Sequence, residues 1–237
     1  MLRFLILAVC ATAFTLAACG RQVTPDRPGT NGVGLLPGFA QVRFTAGAPL
    51  DFQNVAYIVA FNTSGTGGEP YAINGNQTRN WQDYSFEIVL GGGGGIVQPT
   101  VFQFITQNRG GGSVKVPFRL QPTAQQLQFD PNCNGQGTQL CVTFDRRLFN
   151  GIQTGGSPSP SPTPQSSQWF VNWFTADAST RQPLDAPGLG GVNDTSFVFG
   201  PLDTTVSFDQ LWTAAAGWPQ APTPQSQIVG GEVLNNP

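Results

Sequence analysis

The chain has 237 residues, enough for one sizeable hydrophobic core, and only 10% of them are charged, with a net charge of -2 and no histidine. The few basic residues are scattered, which excludes a nucleic-acid-binding protein, because such a protein needs a clustered basic surface to neutralise phosphates. The absence of histidine excludes Ser-His-Asp and Cys-His catalysis within the chain.

The N-terminal segment predicts export. Arg3 precedes a run of 15 apolar and small residues from Phe4 to Ala18, a length that fits a signal peptide and is short for a membrane span. The stretch LAAC at 16–19 resembles the lipobox of bacterial lipoproteins. The resemblance implies cleavage before Cys19, a diacylglycerol thioether on its sulfur, and acylation of its new amine. The alternative is an ordinary secretory signal, cleaved near Ala18, that leaves an incidental cysteine.

We therefore expect a signal peptide at 1–18 and a bacterial envelope protein that is tied to a membrane by its lipid. Residue 20 is glycine rather than aspartate, and the resemblance to bacterial lipoproteins then implies sorting to the outer membrane in a Gram-negative host. The segment 19–38 is rich in Gly and Pro without periodicity, and it predicts a flexible tether.

Strand patterns follow from residue 39 to 216. Val42 and Phe44 alternate with polar neighbours, and the continuous apolar run VAYIVAF at 55–61 is typical of a central strand that is covered on both faces. Pro117 cannot donate a ladder hydrogen bond, so its strand is expected at a sheet edge. WFVNWFT at 169–175 predicts another central strand. About nine or ten strands separated by Gly-rich turns predict an all-β fold, an antiparallel β-sandwich.

The end of this domain predicts one short C-terminal helix. Ser207 and Gln210 have capping-box spacing, and Phe208, Trp212 and Ala215 recur at helical spacing. The alternative is that the segment stays extended through Gln210. The Pro-rich residues 217–237 predict an irregular tail.

The stretch GGSPSPSPTPQS at 155–166 favours extended polyproline II conformation. Too few strand-forming residues follow it to bury a second core. We therefore interpret it as a long loop within a single domain at 39–216, rather than as a linker between two domains.

Two cysteines remain in the mature chain after Cys19. Cys133 and Cys141 flank a turn-like segment, and in an oxidising compartment they predict a disulfide that joins a hairpin near its tip. A metal site is the alternative, but two thiols without histidine are too few ligands. No metal or other cofactor is expected.

Catalytic carboxylates are the remaining enzymatic hypothesis, since a glycoside hydrolase uses a pair of them. Asp83 and Glu87 share one face of a predicted half-buried strand, where we expect solvated side chains. The segment GVNDTS at 191–196 predicts Asx-turn capping, with a calcium site as the alternative. The other candidate carboxylates are Asp177, Asp185, Asp194 and Asp209. No phosphate-binding motif is present, and we predict that the protein is not an enzyme.

Aromatic residues provide the best candidates for binding. Most are expected in the core, whereas Trp81 and Trp218 adjoin polar or Pro-rich loops and are the candidates for stacking on a sugar or a partner protein. The stretches YIVAFNTSGTGGEPY and NWQDYSFEIVLGG are similar to domains of uncharacterised bacterial surface lipoproteins, a similarity that implies no activity.

Together these features predict a non-catalytic envelope lipoprotein with a structural, assembly or protein-binding role. Its expected partners are the membrane, through the lipid, and another envelope protein. One alternative is a carbohydrate-binding or adhesive module with a glycan ligand, and another is a carboxylate-dependent glycoside hydrolase.

Overall fold

The computed structural model describes eight segments of the chain: 34–63, 85–91, 97–109, 112–149, 168–186, 199–203, 208–213 and 221–237. Cys19, Trp81, Trp218 and the Pro-rich residues 155–166 lie outside these segments. The strands described are β1 (Phe39–Ala46), β2 (Val55–Asn62), β3 (Phe86–Leu90), β4 (Thr100–Arg109), β5 (Gly112–Leu120), β6 (Leu127–Asp130), β7 (Gln139–Asp145), β8 (Gln168–Asp177), β9 (Pro183–Asp185), β10 (Phe199–Asp203), β11 (Phe208–Thr213) and β12 (Ile228–Asn236). One 3-10 turn, Arg146–Phe149, follows β7.

The strands form two antiparallel sheets, which confirms the predicted all-β sandwich. One sheet has five strands in the order β11-β12-β1-β7-β6. The other has seven, in the order β10-β8-β2-β3-β4-β5, with β9 also paired to β8. As the sequence predicts, β2 and β8 are interior strands, and β5, which contains Pro117, lies at an edge. The structure adds that β2 and β8 pair with each other.

The core lies between the inner faces of the two sheets, where large aromatic side chains meet. Phe44 packs edge-on against Tyr57 with ring centroids 5.4 Å apart, and Phe61 packs against Phe144 at 5.1 Å. Phe149, from the 3-10 turn, packs against Phe61 with ring centroids 4.8 Å apart. Burial of such aromatic side chains is the main stabilising contribution in a fold of this type.

Two glycines permit close contacts, one within the seven-stranded sheet and one between the two sheets. Gly91 ends β3 with φ +100°, and a Cβ placed there would lie 2.5 Å from the carbonyl oxygen of Val55. Gly231 lies under the fully buried Trp173, whose ring would be 2.9 Å from an added Cβ. Both positions therefore exclude any larger residue.

The structure corrects two predictions near the C-terminus. The prediction of a short C-terminal helix is wrong, because residues 208–213 form β11 and pair with β12. Phe208 and Trp212 are four residues apart, a spacing that places side chains on one face of a strand as well as of a helix. The prediction of an irregular tail is also wrong, because residues 228–236 form β12, an interior strand between β11 and β1. Within the described segments, no helix is long and apolar enough to cross a bilayer.

Candidate functional site

The outer face of the five-stranded sheet is polar. The Gln41 amide donates to Thr143 Oγ1 at 2.7 Å, Arg43 Nε donates to Gln41 Oε1 at 2.8 Å, and Arg43 also pairs with Glu232. A groove of about 320 Å³ opens on this face and is lined by Gln41, Arg43, Gln128, Phe129, Asp130, Cys133, Gln139, Cys141 and Thr143. This face therefore presents mainly hydrogen-bonding groups.

Next to this groove, the predicted disulfide is confirmed. Cys133 and Cys141 are bonded, with Cα atoms 6.0 Å apart. Cys141 is in β7 and Cys133 is in the turn that joins β6 to β7, where its backbone N–H donates to the carbonyl of Gln139. The bridge thus closes the tip of the β6–β7 hairpin, as its sequence context predicts.

The outer face of the seven-stranded sheet is apolar instead. It carries a second buried cluster, separate from the core between the sheets, formed by Ala56, Ile58, Ala60, Val89, Phe104, Phe174, Ala176 and Ala186, with Phe102 packed against it. These residues alternate along their strands with side chains of the inner core. The central strands are therefore apolar on both faces, as the sequence of β2 predicts.

A cavity of about 190 Å³ lies in this second cluster. Its lining comes from six strands and the turn between β8 and β9: Ile58, Glu87, Val89, Phe102, Phe104, Pro117, Phe174, Thr175, Ala176, Arg181 and Pro183. The lining is mostly apolar, with a carboxyl group, a hydroxyl and a guanidinium as its polar exceptions. An apolar pocket with a few polar groups is the usual form of a small-molecule site.

Glu87 is the polar group buried in this cavity. It is the second residue of β3 and pairs with Ala60 on one side and Phe102 on the other. The residue is only 7% exposed, and its Oε2 has no hydrogen-bond partner among the described residues. Burial raises the pKa of Glu87 to about 8, against a smaller opposing effect of the Arg181 charge. The carboxyl is therefore largely protonated at neutral pH, and the predicted solvated position is wrong because both faces of β3 are covered.

The turn between β8 and β9 holds Arg181 at the edge of the cavity. Arg181 is an exposed residue with φ 61°, a left-handed conformation that is uncommon outside glycine. Its N–H donates to the Asp177 carbonyl, and Asp177 Oδ1 accepts from the N–H groups of Ser179 and Thr180. Hydrogen bonds to this carboxylate lower the pKa of Asp177 to about 2, and the largest effect comes from the Thr180 N–H. Asp177, a candidate catalytic carboxylate, thus orders this turn.

Asp185 is another buried carboxylate, and it joins the two sheets. Its Oδ2 accepts from the Ile228 N–H of β12 at 2.7 Å. Burial raises the pKa of Asp185 to about 6, although hydrogen bonds from the Ile228 and Ala186 backbone oppose the shift. Asp185 thus reaches the opposite sheet, whereas Glu87 faces the outer cavity. Asp83 and Asp194 lie outside the described residues, and Asp209 is described by its backbone alone.

Comparisons with protein families, curated proteins and solved structures found no match to this chain. Among the described residues, no three acidic or cysteine side chains group together as a metal site would need. The predicted binding residues Trp81 and Trp218 and the segment 191–196 remain outside the described part. Trp169 and Trp173 are buried in the core, as the sequence predicts. The buried carboxyl of Glu87 is the feature that sequence reasoning missed, because strict alternation with Phe86 and Ile88 indicated a solvated position.

The two ends of the sandwich also differ. At one end, β1 begins directly after Gly38, which hydrogen-bonds to Asn236 at the end of β12. At the other end, four turns meet: 47–54, 131–138, 178–182 and 221–227. The backbone hydrogen bonds that connect these turns to one another or to adjoining strand ends include Ala46 to Thr138, Gly47 to Gln227, Leu50 to Gly137, and Ala178 to Asn54. We call this group of turns the far end, because it lies opposite the point where the chain enters the fold.

Proposed function

We propose that this protein is a bacterial envelope lipoprotein, anchored through acylated Cys19, whose non-catalytic β-sandwich presents its far end to a protein partner. The anchor rests on the sequence LAAC at 16–19. The position of the far end supports its role in binding a partner. It lies opposite Gly38, and Gly38 is where the segment from Cys19 enters β1. A lipid at Cys19 would therefore attach to the end of the fold that faces away from these turns.

The distance between anchor and fold follows from the length of the segment. Nineteen residues separate Cys19 from Phe39, the first residue of β1. The last of them are held at the end of β12, where the Gly38 N–H donates to the Asn236 carbonyl and the Leu35 carbonyl accepts from the Asn236 side chain. A random chain of the fourteen residues before Gly34 has an end-to-end distance of roughly 20 Å, and its fully extended limit is roughly 50 Å. The domain would thus stay within a few tens of ångströms of the bilayer while its far end points into the surrounding space.

The far end has the properties of a binding surface with a fixed shape. The hydrogen bonds between its turns and the Cys133–Cys141 disulfide restrain it. Exposed polar side chains such as Gln53 and Gln136 cover it. A surface that is ordered before binding loses less conformational entropy on association, which favours specific recognition.

Fractionation of cells tests the anchor. We expect Cys19→Ala to move the protein from the membrane fraction to the soluble fraction, because the thioether cannot form. Each buried methylene of an acyl chain contributes about 0.8 kcal/mol, so losing the chains abolishes stable attachment. A Cys19→Ala protein that stayed with membranes through high-salt and carbonate washes would refute the anchor.

Affinity purification from the native envelope tests the partner. The full chain should recover one protein in stoichiometric amount, and this recovery should be lost in Gln53→Arg and Gln136→Arg, which add charge at the far end. Gln125→Arg is the matched control, since Gln125 is equally exposed but precedes β6 near Gly38. Equal recovery by all three variants, or recovery of the protein alone, would contradict the proposed role of the far end.

The second candidate function is binding of a carbohydrate, and the polar groove of the five-stranded sheet favours it. The glutamine amides and Thr143 can hydrogen-bond sugar hydroxyls, and Phe129 offers a partly exposed ring beside them. Binding of a glycan array by the full chain, lost in Gln128→Ala, would support this function. Such a result without a protein partner would replace our first proposal.

A further inference from the structure

The cavity beside Glu87 contains one buried polar group whose role the fold does not explain. Thr175 also lines the cavity, but its Oγ1 already donates to the Ser226 carbonyl at 2.6 Å. Arg181 is exposed to water. Glu87, in contrast, is more than nine-tenths buried with an oxygen that has no partner among the described residues. Such an atom points to a ligand that would complete its hydrogen bonds.

Folding alone favours an apolar residue at this position. Glu87 has Ala60 and Phe102 as its strand neighbours, and Ile58 and Val89 line the same cavity. A buried polar group without a partner is costly, and an apolar side chain of similar shape removes that cost. The carboxyl therefore lowers stability unless it does something else, and binding accounts for its presence.

We propose that this cavity binds a small neutral molecule, about one six-membered ring in size, through a hydroxyl group that hydrogen-bonds to the carboxyl of Glu87. The site is independent of the proposed lipid anchor, and it adjoins the far end only through Arg181 in the turn 178–182.

The volume sets the size of the ligand. An engineered apolar cavity of about 150 Å³ holds benzene, and this cavity has about 190 Å³. It therefore accommodates one ring with a short substituent. Phe102, Phe104 and Phe174 supply aromatic walls for such a ring.

The charges around the cavity favour a neutral ligand. A cation would be repelled by Arg181 and by Arg119, which is exposed on β5 two strands away from Glu87, at about 10 Å. An anion seated against Glu87 would lose its hydration in the same apolar surroundings that keep this carboxyl protonated. A protonated carboxyl donates through its O–H and accepts through its carbonyl, and a hydroxyl group complements both.

Four probes of similar size test the proposal: benzyl alcohol, toluene, benzylammonium and benzoate. They are titrated into the full chain carrying Cys19→Ser, so that no acyl chain competes, and the methyl resonances of Ile58 and Val89 are followed by NMR. Glu87→Leu removes the hydrogen bond while keeping an apolar lining, Glu87→Gln keeps a donor and an acceptor, and Ala176→Leu fills the cavity.

We expect saturable binding of benzyl alcohol and toluene to the chain with Glu87 intact. Glu87→Leu should weaken the binding of benzyl alcohol relative to that of toluene by about tenfold, because the buried hydroxyl loses its partner. Glu87→Gln should change this ratio by less than about threefold, since its amide can still pair. Ala176→Leu should weaken the binding of both probes, because the larger side chain fills the cavity.

Three results would overturn the proposal. They are no saturable binding of benzyl alcohol, an unchanged alcohol-to-toluene ratio in Glu87→Leu, and tighter binding of benzylammonium or benzoate than of benzyl alcohol. Urea unfolding confirms that each variant is folded. If Glu87→Leu does not fold, undiminished binding of benzyl alcohol to Ala176→Leu overturns the proposal in its place.

Discussion

The buried carboxyl of Glu87 should make the stability of this protein fall as pH rises through neutrality. Its pKa is about 8 in the folded protein against an ordinary value of 4.5. Between these values the folded protein keeps a proton that the unfolded chain has released, so the unfolded chain binds fewer protons and the free energy of unfolding decreases with pH. The contribution of Glu87 is thus fully present below pH 4.5 and is lost as pH approaches 8.

The size of the effect follows from the same two pKa values. From pH 6 to pH 8, Glu87 should lower the free energy of unfolding by about 2 kcal/mol. Asp185, whose folded pKa is about 6, has lost most of its contribution by pH 6 and adds less than about 0.5 kcal/mol in this window. The chain has no histidine, and the pKa of Tyr57 is raised to about 12, so other side chains contribute little here.

Glu87→Gln is the matched variant, because it keeps the shape of the side chain and removes its titration. Urea unfolding at pH 6, 7 and 8, followed by fluorescence of the buried Trp169 and Trp173, measures the free energy of each protein. We expect the original chain to lose about 2 kcal/mol between pH 6 and 8 and Glu87→Gln to lose less than about 0.5 kcal/mol. Equal pH dependence in the two proteins would refute the reasoning.

Three other changes should lower stability for different reasons. Gly231→Ala forces its methyl group against Trp173 and should lower the free energy of unfolding by about 1–3 kcal/mol. A double-mutant cycle with Trp173→Phe should show that the two changes are not additive. Replacing both Cys133 and Cys141 by Ser should cost about 2–3 kcal/mol, because the bridge closes a short loop. Tyr57→Phe leaves two backbone hydrogen-bond partners unsatisfied and should cost about 1–3 kcal/mol.

Urea unfolding measures all three, and each has its own contradicting result. Full stability of Gly231→Ala would show that the sheets are less closely packed than described. If reducing agent destabilised the double serine variant as much as the original chain, the loss would not come from the bridge. A Tyr57→Phe protein as stable as the original would mean that Asp51 N–H and the Gln225 carbonyl find other partners.

The sequence predicts the central strands well because their patterns are local. Val42 and Phe44 face the core as their alternation indicates, and the continuous apolar run of β2 is buried throughout. Pro117 correctly places β5 at an edge, and Cys133 and Cys141 pair across the hairpin between them. Each of these features follows from residues that are close together in the chain.

The sequence fails where long-range pairing decides the structure. β12 contains Gly230 and Gly231, which reduce its strand propensity, yet Gly231 provides the space that Trp173 fills from the opposite sheet. β11 is a strand because β12 pairs with it, and its own residues fit a helix equally well. Glu87 is buried because the outer face of its sheet carries a second apolar cluster, which no pattern within β3 reveals.

Intact-mass analysis of the natural protein tests the proposed function most directly. We expect a mature chain that begins at Cys19 and carries a diacylglycerol thioether together with an acyl group on its new amine. A chain that begins elsewhere, or one that begins at Cys19 without fatty acyl groups, would contradict the assignment of this protein as an envelope lipoprotein.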